Sequence, residues 1–201
     1  FVTTDFTVSA SAMLSSVYEI IYSVGSKYNT LQSKYDLVIG SISEDFETAD
    51  FSSYEWSETT ENPWVIDNTN AYEGLYCAKS AMISHKQYSA LKIELDVLVA
   101  GELKFYRRVS SEADSDYLIF FVDGREKERW SGEIDWDIYS YKLSKGKHTV
   151  EWRYIKDEES TEGDDGAAID LISFPPQALI SPFEAVSDLK AKKQDNDKLA
   201  L

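Results

Sequence analysis

Asp170 is the acid whose sequence setting asks for an explanation. It lies between Ile169 and Leu171 in an apolar run over residues 167–174. A carboxylate buried in such a run is costly unless it is paired or metal-bound. Period two also allows Asp170 onto the outer face of a strand, in solvent. Glu112, Asp114 and Asp116 form an alternating acidic cluster, and residues 157–165 form another. Alternating acids are able to hold a second cation, although such runs are more often solvated loops. The segment Trp130-Ser-Gly-Glu-Ile-Asp-Trp136 reads as a loop carrying two aromatics and two acids, Glu133 and Asp135. Aromatic faces beside carboxylates suit the grip of a sugar, and large aromatics also serve as core or loop braces.

Nucleophilic chemistry is poorly represented. Ser84-His85 is a hydroxyl–imidazole neighbour pair, but adjacent strand residues point to opposite faces. Cys77 lies in an apolar-flanked strand, where a thiol is ordinarily buried and inert. There is no glycine-rich phosphate loop or nucleotide fingerprint. The sequence therefore predicts a non-catalytic chain.

Composition narrows the partners. The chain has 201 residues, 36 Asp and Glu against 20 Lys and Arg, and a formal charge of -16. Residues 43–176 hold 29 of those acids and 14 of the bases, so a net charge of -15 belongs to this one segment. That charge repels phosphate backbones and anionic lipid surfaces, so neither nucleic acid nor membrane insertion is expected. Hydrophobic residues make up 43% of the chain, enough to bury a core. A lone Cys excludes an internal disulfide, and one Cys with two His makes a zinc site improbable. No signal peptide opens the chain, and Phe1 reads as the start of a fragment.

The elements that would position these residues are strands. Leu91, Ile93, Leu95, Val97 and Val99 alternate with polar neighbours, as do Leu103, Phe105 and Arg107 after Gly101. Residues 117–122 form an apolar strand closed by Asp123-Gly124, a strong hairpin signal, with a return over 125–130. Lys145-Gly146 joins 139–143 to 148–155, where Val150, Trp152 and Tyr154 share one face and Glu151 and Arg153 the other. Residues 11–21 fit a strand better than a helix. The pattern predicts an all-β, antiparallel jelly-roll sandwich.

The ordered series Glu44-Asp45-Phe46-Glu47, Pro63-Trp64-Val65-Ile66-Asp67, Tyr72-Glu73-Gly74, Phe105-Tyr106-Arg107-Arg108, Phe121-Val122-Asp123-Gly124, Trp130-Ser131-Gly132-Glu133, Thr149-Val150-Glu151-Trp152 and Ile169-Asp170-Leu171 resembles the cleaved-adhesin, MAM-like jelly rolls of bacterial surface proteins. Adhesin domains of gingipain-type cysteine peptidases are members of that family. Residues 43–176 carry the resemblance. Residues 35–40 resemble the last strand of an immunoglobulin-like domain, so 1–42 reads as the C-terminal part of one. Residues 186–191 and 198–201 resemble the first strand of a fibronectin type III domain after a linker, within 177–201. Family members often carry a second Cys and a Trp where Gly166-Ala167-Ala168 stand here, so neither a disulfide nor that aromatic carries over.

The resemblance implies a galactose-binding-like sandwich with calcium at one sheet edge. Its positions here are Asp45, Glu47, Asn70, Glu73 and Asp170, all oxygen donors of the kind calcium takes. The expectation is thus a calcium-stabilised, non-catalytic adhesin domain of a secreted or cell-surface bacterial protein, attached to a peptidase. Its partners would be a host or matrix protein, a glycan, or neighbouring domains of the same chain. Alternatives are a carbohydrate-binding module, with Trp130, Glu133, Asp135 and Trp136 as the platform, and a structural spacer.

Overall fold

Alternation of apolar and polar side chains over residues 43–176 is resolved into two layers in a computed structural model of the chain. The structure describes these residues in full, together with the backbone of five further strands. Strands are numbered in chain order. Outside the central segment lie β1 (Phe6–Thr7), β2 (Ser16–Gly25), β3 (Thr30–Ile39), β15 (Lys192–Gln194) and β16 (Lys198–Ala200). The central segment holds β4 (Ser43–Glu44), β5 (Trp56–Glu58), β6 (Val65–Asp67), β7 (Cys77–Lys79), β8 (Tyr88–Val97), β9 (Gly101–Ser110), β10 (Tyr117–Val122), β11 (Arg125–Trp130), β12 (Glu133–Leu143), β13 (Gly146–Ile155) and β14 (Gly166–Ser173).

Packing divides the chain into two units, Phe1–Gly40 with Leu179–Leu201, and Ser41–Ala178. In the first unit β2 and β3 form an antiparallel hairpin. There β1 pairs in parallel with β16, which pairs antiparallel with β15. The strand expected over residues 11–21 is described from Ser16 onward, and its earlier part lies outside the described residues. The fibronectin-like stretch 186–191 also lies outside them.

The second unit is the expected antiparallel sandwich. One sheet runs β11-β10-β13-β8-β5, the other β12-β9-β14-β7-β6 with β4 beside β14. Inward residues of both sheets share one core. Phe105 of β9 packs edge-on against Trp152 of β13 at 5.3 Å and meets Phe120 of β10 at 5.1 Å. Burying such rings drives the two layers together. Strand β8 starts earlier than the alternation suggested and stops before Leu98, whose N–H turns away to the Pro176 carbonyl at 2.9 Å.

Turns follow local chemistry. Asp123 and Gly124 both have positive φ, 53° and 69°, as a two-residue hairpin turn of the right twist requires. Nothing lies near the Gly124 Cβ position. Gly124→Ala is therefore expected to cost about 1 kcal/mol through backbone strain alone. Urea unfolding should show a lower midpoint with an unchanged slope.

Residues 130–136 are not a loop: Trp130 ends β11, and Glu133 already begins β12 in the other sheet. Only Ser131-Gly132 connects them, with Gly132 at φ 79°. The period-two signal fails because β12 bulges against β9 between Ile134 and Asp137.

Candidate cation loop and ligand face

The loop between β6 and β7 covers Asp170. Asp170 is in register with Tyr106 across β14 and β9, so both point to the outer face of the six-stranded sheet. Asp170 lies on the outer face, but the expectation that it faces solvent there fails: it is 0% exposed because the loop lies over it. Its Oδ2 accepts the N–H groups of Tyr72 at 2.9 Å and Glu73 at 3.1 Å, and its Oδ1 accepts that of Leu171 at 2.7 Å. Burial pushes its carboxyl up to about 6, the backbone hydrogen bonds oppose this, and the nearby Glu47 charge adds to it. Leu171, at φ 43°, marks strained backbone beside a register shift in β14.

Glu47 approaches the same loop from the other side. Its Oε1 accepts from Leu75 at 2.8 Å and Tyr76 at 2.9 Å. Gly74, at φ 69°, allows the approach, since a Cβ there would collide with the Glu47 carboxylate. Asp45 accepts the Glu47 N–H at 3.2 Å and so braces this turn. Asn70 and Glu73 are exposed on the loop, and the Asn70 carbonyl faces the Cys77 thiol at 3.8 Å. Two carboxylates and four loop N–H groups, of Tyr72, Glu73, Leu75 and Tyr76, thus converge. Among the described residues no three Asp, Glu, His or Cys side chains form a metal group by themselves. A cation here would need the loop's carbonyl oxygens as well, an all-oxygen donor set that suits calcium.

The same loop carries Tyr72 onto the outer face. Its ring stacks on Tyr106 at 3.5 Å and 15°, and Trp136 meets it edge-on at 6.1 Å. None of the three belongs to the sandwich core. Next to them is a shallow cleft lined by Asp67, Thr69, Asn70, Lys79, Arg108 and Asp164. Arg108 donates to Asp164 at 3.0 Å across its rim. The sequence missed Tyr72 and Tyr106 because they are 34 positions apart and meet only through the loop's path.

Other candidate residues part company. Trp130 belongs to the inner layer, packed 5.0 Å from Tyr139 and 4.8 Å below the Arg107 guanidinium. It shares no platform with Trp136, because consecutive strands carry the two into different sheets. Glu133 accepts the Ser110 hydroxyl at 2.7 Å, and the same hydroxyl accepts the Asp164 N–H. Glu133 thus braces the 156–165 segment, while Asp135 accepts only the neighbouring Trp136 N–H. In the acidic cluster Asp116 is wholly buried, accepts the Asp157 N–H at 2.9 Å and faces Lys156 at 3.5 Å. Asp114 is exposed at φ 58°. The Glu112 carboxyl is raised, by desolvation first and then by Asp157, Glu162 and Asp116.

A serine, a histidine and an aspartate also meet at the sandwich edge. His148 Nδ1 lies 2.9 Å from Asp123, and Nε2 lies 3.2 Å from the Ser144 hydroxyl. Nε2 lies closer still, 3.0 Å, to the Ser144 carbonyl, which only accepts. The nitrogen that would take a serine proton therefore faces an acceptor, and the set ties two turns together. Cys77 is buried, and its thiol is pushed up to about 12 by burial and the charges of Asp170 and Asp67. That is the setting of an inert thiol.

No family model matches the chain, and no curated protein matches it. Its fold is similar to the K1 cleaved adhesin domain of Lys-gingipain from Porphyromonas gingivalis. The TM-score is 0.52 at 15% identity, over 66% of this chain and 96% of that one. The K3 cleaved adhesin domain of the same protein gives 0.50 at 14% identity, over 66% and 97%. The secreted serine protease VesC from Vibrio cholerae gives 0.52 at 18% identity, covering 82% of this chain but only 35% of that one. In fold, residues 43–176 are an adhesin-like all-β jelly roll.

Proposed function

We infer that the chain is a non-catalytic, calcium-stabilised binding domain of a secreted or cell-surface bacterial protein. The observation that carries the reading is Asp170, fully buried under the Tyr72–Glu73 backbone with Glu47 as a second negative group beside it. Burial first, and the Glu47 charge in addition, disfavour an ionised Asp170, and a divalent ion held by both carboxylates would offset that cost. Glu47 and Asp170 would hold the ion, with oxygens of the loop that Asn70 and Glu73 belong to. Calcium would supply no reaction here, only a fixed loop. The likeness to a segment of VesC and to gingipain adhesin domains supports attachment to a peptidase. A host or matrix protein, or neighbouring domains, would then be partners.

Thermal unfolding tests this. An ion present at a hundred times its Kd adds about 2.7 kcal/mol. For a chain of this size that raises Tm by roughly 5–10 °C. Calcium should produce that rise, a chelator should reverse it, and Asp170→Ala should abolish the response. A Tm indifferent to calcium and chelator defeats the calcium reading.

A further inference from the structure

We propose that the outer face of the six-stranded sheet, at Tyr72, Tyr106 and Trp136 with Arg108 and Lys79, binds a neutral polysaccharide. This deepens the reading of the chain as a binding domain, and it rests on Tyr72 as Asp170 and Tyr106 hold it without an ion. Tyr72 is 41% exposed although its ring is stacked flat and its backbone is held by Asp170. Its position is therefore fixed before any ligand arrives, which lowers the ordering cost of binding. Ile138, 47% exposed, lies in register with Tyr106 and extends the apolar ledge.

One rung away the same face becomes polar. Arg108 is in register with Ala168, and Ala168 with Lys79. The small alanine leaves a hollow between two long cationic side chains, and Asp67, Asn70 and Asp164 close its rim. A pyranose ring has matching chemistry, with C–H groups on its flat faces and hydroxyls on its edges. The faces suit the tyrosine ledge and the Trp136 edge. The hydroxyls suit the planar guanidinium, amide and carboxylate groups. Arg108 is already neutralised by Asp164, and the surrounding segment carries a net -15, so an acidic polymer is repelled. The site is an open ledge with a shallow hollow, a shape for a polymer chain rather than an enclosed small molecule.

Affinity electrophoresis of the full chain tests the proposal. The gels would contain neutral β-glucan, mannan or galactan, or the acidic polymers alginate or polygalacturonate. Retardation is expected in at least one neutral gel and in neither acidic gel. Tyr72→Ala and Trp136→Ala should each weaken it at least tenfold, and Arg108→Ala should also weaken it. These side chains lie outside the core, so unchanged thermal melts should confirm that the variants fold. Absence of retardation in every neutral gel, retardation that survives both aromatic substitutions, or retardation by acidic polymers alone overturns the site. So does self-association in sedimentation that Tyr72→Ala abolishes. Calcium-dependent melts without retardation remove the polysaccharide site and leave the calcium reading standing, while the reverse pattern removes only the calcium reading.

Discussion

Lys156→Met should destabilise the jelly roll by about 3–5 kcal/mol, the usual effect of removing one partner from a buried ionic network. The Lys156 ammonium is buried and lies 2.5 Å from Asp165, 3.0 Å from the Thr161 hydroxyl and 3.5 Å from Asp116. Without it, the fully buried Asp116 and the largely buried Asp165 lose their shared counter-charge, and Tyr154 loses the charge balance around its bond to Asp165. Lys86 is the control: its ammonium is 2.7 Å from Glu158, but both side chains are largely exposed. Lys86→Met should change stability by no more than about 1 kcal/mol. Equal effects of the two substitutions in urea unfolding would contradict the difference in burial.

Asp170 sets the second large effect. Its carboxyl rises from 3.8 in the unfolded chain to about 6 in the fold. The folded state then holds the proton more tightly, so this group's contribution to stability is greatest below pH 4 and is lost as pH rises through 6. The loss is about 3 kcal/mol from this group. In chelator, the stability difference between the native chain and Asp170→Asn should shift by about that amount between pH 4 and pH 7. Calcium binds the ionised form, so its stabilisation should be larger at pH 7 than at pH 5. A pH-independent difference between the two proteins would remove Asp170 as the titrating group.

Local chemistry made part of this legible. Asp123-Gly124 announced its turn, Val150, Trp152 and Tyr154 announced their shared face, and Asp170 announced itself as an acid in an apolar strand. Its environment was not legible, because strand alternation gives a side chain's face but not what another segment lays over it. Tyr72 and Tyr106 come together only through the sheet register and the loop's path. Trp130 and Trp136 looked like companions because six positions separate them, but a two-residue crossing sends them to opposite layers. Lys156 stood among acids that read as a solvated run, and only the fold shows that it is their buried counter-ion.

The pairing of β4 with β14 has a mechanical consequence. Ser43, where the chain comes into the sandwich, is the cross-strand partner of Ser173, close to where it leaves. A pull on the two flanks therefore acts at one corner and separates the strands like a zipper, loading one rung at a time rather than all together. The first rungs to part are Ser173–Ser43 and Ile172–Glu44. Their opening would free the buried Glu44, whose carboxylate caps the Phe46 N–H at 2.9 Å. A pull on the flanks is therefore expected to part these rungs before it reaches the core around Trp152.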